Sequence, residues 1–275
     1  MSQDLEAPAA APSTARLTWA VFLISALGLF LELLLIRWVS TEIRIFAYLQ
    51  NTVLVVCFLG LGMGCWDSRR RPFVLRELLI PLTVLVALLA IPTTRAALAK
   101  ISNMFGGFSD LLIWAAPDSA AGWNQYLAPV VGLVLTFFLM AVLWQIFVPV
   151  GRLLGRLMSD HPRTIRAYSA NVAGSLCGIW LFVLASALYL PPVAWFALFA
   201  AGAVAFLGAG GKSKLGDAVC LAVILALAGA AGWEPGWDEV RWTPYQKLAV
   251  KDLSTNPAGG GEGQAEFGNV IGRTF

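Results

Sequence analysis

The chain has 275 residues, 59% hydrophobic and 13% charged, with 19 Lys and Arg against 16 Asp and Glu for a formal net charge of +3, and its mean hydropathy is +0.75. About a quarter of the residues of a soluble domain are charged, so this composition excludes a freely soluble globular protein and assigns the chain to a lipid bilayer. The basic residues lie in short loops between apolar runs, which argues for membrane orientation and against a nucleic-acid-binding stripe.

Residues 1–16 are rich in Ala and Pro and lack the basic region and cleavage site of a signal peptide, so they read as a disordered cytoplasmic tail. A hydrocarbon core about 30 Å thick needs about 20 apolar residues in helix. Seven runs approach that length, at 17–38, 45–66, 78–97, 127–149, 168–189, 192–209 and 216–233. The expected fold is therefore an all-α polytopic membrane bundle of about seven transmembrane helices, with residues 17–233 as the transmembrane domain.

Within the first run, Glu32 is a carboxylate at lipid depth, where a charge costs about 2.5–3.5 kcal/mol unless it is paired or protonated. It is expected to face the bundle interior. Arg37, Glu42 and Arg44 follow near one membrane face and form with it a candidate polar mouth. Two readings stay open: a substrate or proton site, and an ion pair that fixes helix packing. Gln50 and Asn51 in the second run and Asn171 in the fifth add amides that suit hydrogen bonds between helices. Gly60 and Gly64, and Ala170, Gly174 and Gly178, recur at intervals of four and let helix backbones approach closely. The segment 98–126, with Trp114 and Trp123, reads as interfacial. His161, between Asp160 and Pro162, reads as a solvated loop residue.

Pro191-Pro192 turns the fifth run into the sixth. The cysteines Cys57, Cys65, Cys177 and Cys220 all lie in or beside apolar runs with no C-x-x-C pair, so neither a disulfide nor a metal site is expected. Ten Lys and Arg fall in alternate loops (Arg69, Arg70, Arg71, Arg76, Arg152, Arg156, Arg163, Arg166, Lys212 and Lys214), against four on the other side (Arg37, Arg44, Arg95 and Lys100). By the positive-inside rule the N-terminus is cytoplasmic. Seven spans would then leave the tail after Trp233 outside.

From residue 234 the composition changes. Trp242 to Val250 alternates apolar and polar residues like a water-facing strand, Ser254 to Gly263 is a Gly-, Asn- and Pro-rich loop, and 265–272 reads as a returning strand. Residues 234–275 are thus expected to form a β-hairpin that begins an incomplete α/β domain.

Thr243-Pro244-Tyr245-Gln246 resembles the S-P-Y-Q element on the N-terminal hairpin of the spermidine synthase family, with Thr in place of Ser. Glu32-Leu33-Leu34-Leu35-Ile36-Arg37 and Tyr168 to Ser175 resemble segments of bacterial membrane proteins that fuse a helical domain to a spermidine synthase-like domain. The resemblance implies a bacterial inner-membrane aminopropyltransferase: a polyamine-type amine attacks the methylene beside the sulfonium of decarboxylated S-adenosylmethionine, and methylthioadenosine leaves. It also implies that Gln246 faces the sulfonium donor and Tyr245 supports it. Catalysis is not expected of residues 1–275 alone. Gly259-Gly260-Gly261-Glu262-Gly263 looks like the family's nucleoside loop, but it follows no apolar strand and opens no helix, so it reads as a flexible connection. The alternatives are a transporter, for which no internal repeat is found, and a non-catalytic membrane scaffold. The expected partners are the bilayer and a polyamine or related cation, and no nucleic acid.

Overall fold

Apolar runs become helices in lipid because the helix pairs every backbone amide within one segment, and an unpaired amide there costs several kcal/mol. The computed structural model describes residues 13–43, 46–47, 49–101, 124–208, 213–231, 239–243, 247–250 and 271–272. The helices are α1 (Thr14–Glu42), α2 (Gln50–Asp67), α3 (Leu75–Ala90), α4 (Pro92–Ala99), α5 (Asn124–Asp160), α6 (Thr164–Ala187), α7 (Pro192–Ala203) with a 3-10 turn at Val204–Phe206, and α8 (Lys214–Ala230). Three short strands follow, β1 (Glu239–Trp242), β2 (Lys247–Val250) and β3 (Ile271–Gly272).

Seven transmembrane helices are not what the chain forms. Among the described residues, three helices are long and apolar enough to cross a membrane, Thr14–Glu42, Leu127–Asp160 and Thr164–Ala187, and α3 and α4, bent by 87° against each other, add a fourth if they act as one span. The apolar part of α2 is shortened by Gln50 and Asn51 at its start and Asp67 at its end. α7 has 12 residues and α8 has 17 with Asp217 in its first turn, both short of the length a spanning helix needs. The run at 78–97 breaks at Ile91, where Pro92 opens a new helix. The run expected to stop at 149 continues to Asp160 through Pro149, since one missing backbone bond is tolerated in a membrane helix packed against its neighbours. The result is a multi-pass, mostly helical membrane bundle with three or four candidate spans among the described residues.

The tail also departs from expectation. The stretch from Trp242 to Val250 is not one strand: β1 and β2 pair antiparallel, with Trp242 opposite Lys247, and β3 pairs with β2 to give a three-stranded sheet in the order β1-β2-β3. This face is not water-facing either, because Trp242 and Lys247 are both buried.

Packing uses the small residues. A Cβ added at Gly174 or Gly178 of α6 would collide with the α1 backbone at Phe22 and Ala26, and one at Gly60 or Gly64 of α2 would collide with the α5 backbone. The order of these contacts makes α1 parallel to α6 and α2 parallel to α5. Thr18 beside His161 and Gly28 beside Val150 make α1 antiparallel to α5. One end of the bundle therefore collects the C-termini of α1, α6 and α8 together with the sheet. The other collects Arg69, Arg70, Arg71, Arg76, Arg152, Arg156, Arg163 and Arg166.

Candidate functional site at the helix–sheet junction

The C-terminal half of α1 supplies the framework. Glu32, Trp38 and Val39 are buried on it, and Glu42 ends it with only 5% of its side chain exposed. The break at Ile91 swings Arg95 toward that end; Thr94 donates its hydroxyl to the carbonyl of Leu88 at 2.8 Å, whose helical partner four residues on would be Pro92, which has no N–H. β2 brings Lys247 from the other side. Lys247 Nζ lies 2.9 Å from Glu42 Oε1, and Arg95 Nε lies 3.8 Å from Glu42 Oε2. Arg95 also donates to the carbonyl of Ala231 at 3.3 Å, where a cation suits the negative end of α8.

Arg37 serves the same junction. It donates to Ser186 Oγ at the end of α6 and to the carbonyl of Thr243 after β1. Its guanidinium lies 5.3 Å from the ring centroid of Trp195, and Lys247 lies 5.2 Å from that of Trp242, both within cation–π range. A chain of edge-on rings runs up to this point from within the bundle: Phe30 to Phe182 at 5.8 Å, Phe182 to Trp195 at 5.6 Å, and Trp195 to Trp242 at 5.5 Å. Such pairs contribute about 0.5–1.5 kcal/mol each beyond their burial.

A cleft of about 370 Å³ opens beside Trp242 and is lined also by Tyr189, Pro191 and Arg241. Tyr189 ends the α6 turn with φ of 58°. Leu190 N–H returns to Ala185 O at 3.2 Å and Tyr189 N–H to Ser186 O at 3.1 Å, the bonding pattern of a helix stop that glycine usually fills. A tyrosine in this left-handed conformation costs about 1–3 kcal/mol, and the strain sits at the rim of the cleft.

The residues singled out from sequence thus divide. Arg37 and Glu42 meet at the junction but do not pair with Glu32. Glu32 is 1% exposed, and neither of its carboxylate oxygens has a hydrogen-bond partner among the described residues. Asn171 accepts a hydrogen bond from Ser25 at 2.7 Å, joining α1 to α6. Asn51 is exposed at the start of α2. Arg44, Tyr245, Gln246, the 259–263 glycine loop and residues 102–123 of the interfacial segment lie outside the described residues. His161 is buried, contrary to the solvated reading: its Nδ1 accepts from the Arg163 N–H, so its Nε2 is the atom that donates to Thr18 Oγ1 at 3.0 Å. Sequence reasoning missed Lys247 and Arg95. Their signals were a single basic residue inside an apolar strand and an arginine one turn after a proline break.

Among the described residues no group of three His, Cys, Asp or Glu side chains gathers as a metal site. Comparison with protein-family models, curated proteins and solved structures finds no match.

Proposed function

We propose that residues 13–231 are a membrane platform that holds and orients a C-terminal catalytic domain of the spermidine synthase-like, aminopropyl-transferring kind. The observation that supports this most is the buried Lys247–Glu42 contact at 2.9 Å. A pendant tail needs no such contact, because desolvating an ion pair costs several kcal/mol per charge and is recovered only in a well-fitted interface. Decarboxylated S-adenosylmethionine would be the donor and a polyamine-type amine the acceptor, with Tyr245 and Gln246 at the donor's pocket by family analogy alone. In this reading the orphaned Glu32 carboxylate is the bundle's attraction for a cationic amine, and the protein resides in a bacterial inner membrane with its N-terminus in the cytoplasm. The test is to express the complete gene product in membranes and quantify methylthioadenosine released from decarboxylated S-adenosylmethionine with and without putrescine. Amine-dependent release is expected; its absence in both right-side-out and inverted vesicles overturns the reading.

A second reading, a non-catalytic scaffold or a transporter, is favoured by one observation. The sheet lies at the end of the bundle away from Arg69, Arg70, Arg71 and Arg152. If that basic end is cytoplasmic, the sheet faces away from the cytosolic pool of sulfonium donor. Amine-dependent release in either vesicle orientation supports the first reading, and its absence in both supports the second.

A further inference from the structure

The basic end of the bundle carries a second cleft, independent of the junction. It lies between the last turns of α2 and the stretch of α5 around Trp144 to Arg152, encloses about 410 Å³, and its lining includes Met63, Trp66, Asp67, Arg70, Arg71 and Arg152. Its two sides differ in chemistry. On the lipid side, Val55, Phe58, Leu59, Met63 and Trp66 are all exposed, at the spacings of three and four that align side chains along one helix face. On the other side the helix ends and Arg69, Arg70 and Arg71 follow, all exposed.

Arg70 is the hinge between these sides. Its guanidinium lies 4.5 Å from the ring centroid of Trp66, so a cation caps the end of the apolar stripe. Arg152 is held by Asp67 at 3.0 Å and by Glu77, and Arg71 lies 3.9 Å from the same Asp67. Asp67 is therefore shared by two arginines, and Arg70 makes no ion pair among the described residues. Two carboxylates against three guanidiniums leave the cleft net positive.

We infer that this cleft binds an anionic phospholipid, with the phosphodiester held by Arg70 and Arg71 and an acyl chain lying along the stripe from Val55 to Trp66. Charge complementarity selects the headgroup, since basic pockets between membrane helices take acidic headgroups. The exposed apolar stripe selects a lipid over a free anion. Trp66 and Trp144 suit the headgroup depth, where an indole meets both apolar chains and polar groups. Arg152, engaged by its carboxylates, positions the α2–α5 walls.

The test is native mass spectrometry of the full chain in a nonionic detergent, after incubation with phosphatidylglycerol or phosphatidylcholine. One retained phosphatidylglycerol and no retained phosphatidylcholine are expected. The double variant Arg70→Gln with Arg71→Gln is expected to weaken retention roughly 30-fold, from the contribution of each basic side chain near an anionic surface. The charge-matched variant Arg163→Gln with Arg166→Gln, both exposed at the same end, is expected to retain the lipid. Equal loss in the two variants means unspecific attraction and overturns the inference. So does equal retention of phosphatidylcholine, or complete displacement of the lipid by excess inorganic phosphate, which reveals a plain anion site.

Discussion

The ammonium nitrogen of Lys247 lies 2.9 Å from a carboxylate oxygen of Glu42, joining β2 to the last turn of α1 across 205 positions of the chain. Both side chains are almost fully buried, at 1% and 5% exposure. Stranding one charge of a buried pair costs about 3–5 kcal/mol, and the loss of Lys247 falls at the low end of that range because Arg95 still lies 3.8 Å from Glu42. Lys247→Met is therefore expected to lower the stability of the detergent-solubilised protein by about 3 kcal/mol and to open the sheet to protease. Lys247→Met with Glu42→Gln should lose less than the sum of the two single losses, since the contact between the two is removed only once. Thermal unfolding and proteolysis near Val250 check both; strictly additive losses would show that the two residues do not act as a pair.

Tyr189 makes the opposite kind of prediction. Its φ of 58° is left-handed, and glycine occupies that conformation without a Cβ penalty. Tyr189→Gly is expected to raise stability by about 1 kcal/mol, although the side chain lines the cleft beside Trp242. A residue kept against its own conformational preference marks that cleft as one to probe with ligands. Loss of stability on substitution would mean that the ring's packing outweighs the backbone strain.

The glycines of α2 separate packing from propensity. A Cβ at Gly64 would strike the α5 backbone, whereas one at Gly62 meets nothing within 4 Å. Gly64→Val is expected to cost about 1–3 kcal/mol through forced separation of α2 and α5. Gly62→Ala should be neutral or stabilising by about 0.5–1 kcal/mol, because alanine loses less backbone freedom than glycine in a helix. Guanidinium or thermal melts of the two variants read the difference directly. Similar behaviour of the two variants would contradict the close α2–α5 contact.

Glu32 tests the proposed attraction of the bundle for a cationic amine. Its carboxyl group is buried with no hydrogen-bond partner among the described residues, so Glu32→Gln removes the ionisable group without removing an ion pair in which a described residue takes part. The ligand-free melting temperature is expected to stay within a few degrees, and the upward shift produced by spermidine is expected to vanish. A spermidine shift that persists in Glu32→Gln sinks the cation reading while leaving the platform reading intact.

The helices were legible from sequence because apolar run length is a strong signal and proline breaks are local. Their number as membrane spans was not. Whether Gln50, Asn51 and Asp67 count against α2, and whether Ile91 and Pro92 bend a span or end it, depends on packing that periodicity does not carry. The burial of Glu32 followed from the cost of a charge in lipid, but its lack of a described partner did not: Arg37, five residues on, turns instead to Ser186 and Thr243. Lys247 was read as facing water because alternation alone cannot say which face of a strand meets a bundle. His161 shows the same limit, since a loop histidine next to a proline gives no hint that Thr18, 143 positions away, waits to receive it.

The central claim is that the sheet and the Arg70–Arg71 turn lie at opposite ends of the bundle, with the sheet held against α1. In a background lacking Cys57, Cys65, Cys177 and Cys220, single cysteines at Arg241 and at Arg70, both exposed, can be treated with a membrane-impermeant maleimide in intact cells and in inverted vesicles. The account predicts opposite patterns, with one position labelled only in cells and the other only in vesicles. Labelling of both positions from the same side would contradict it.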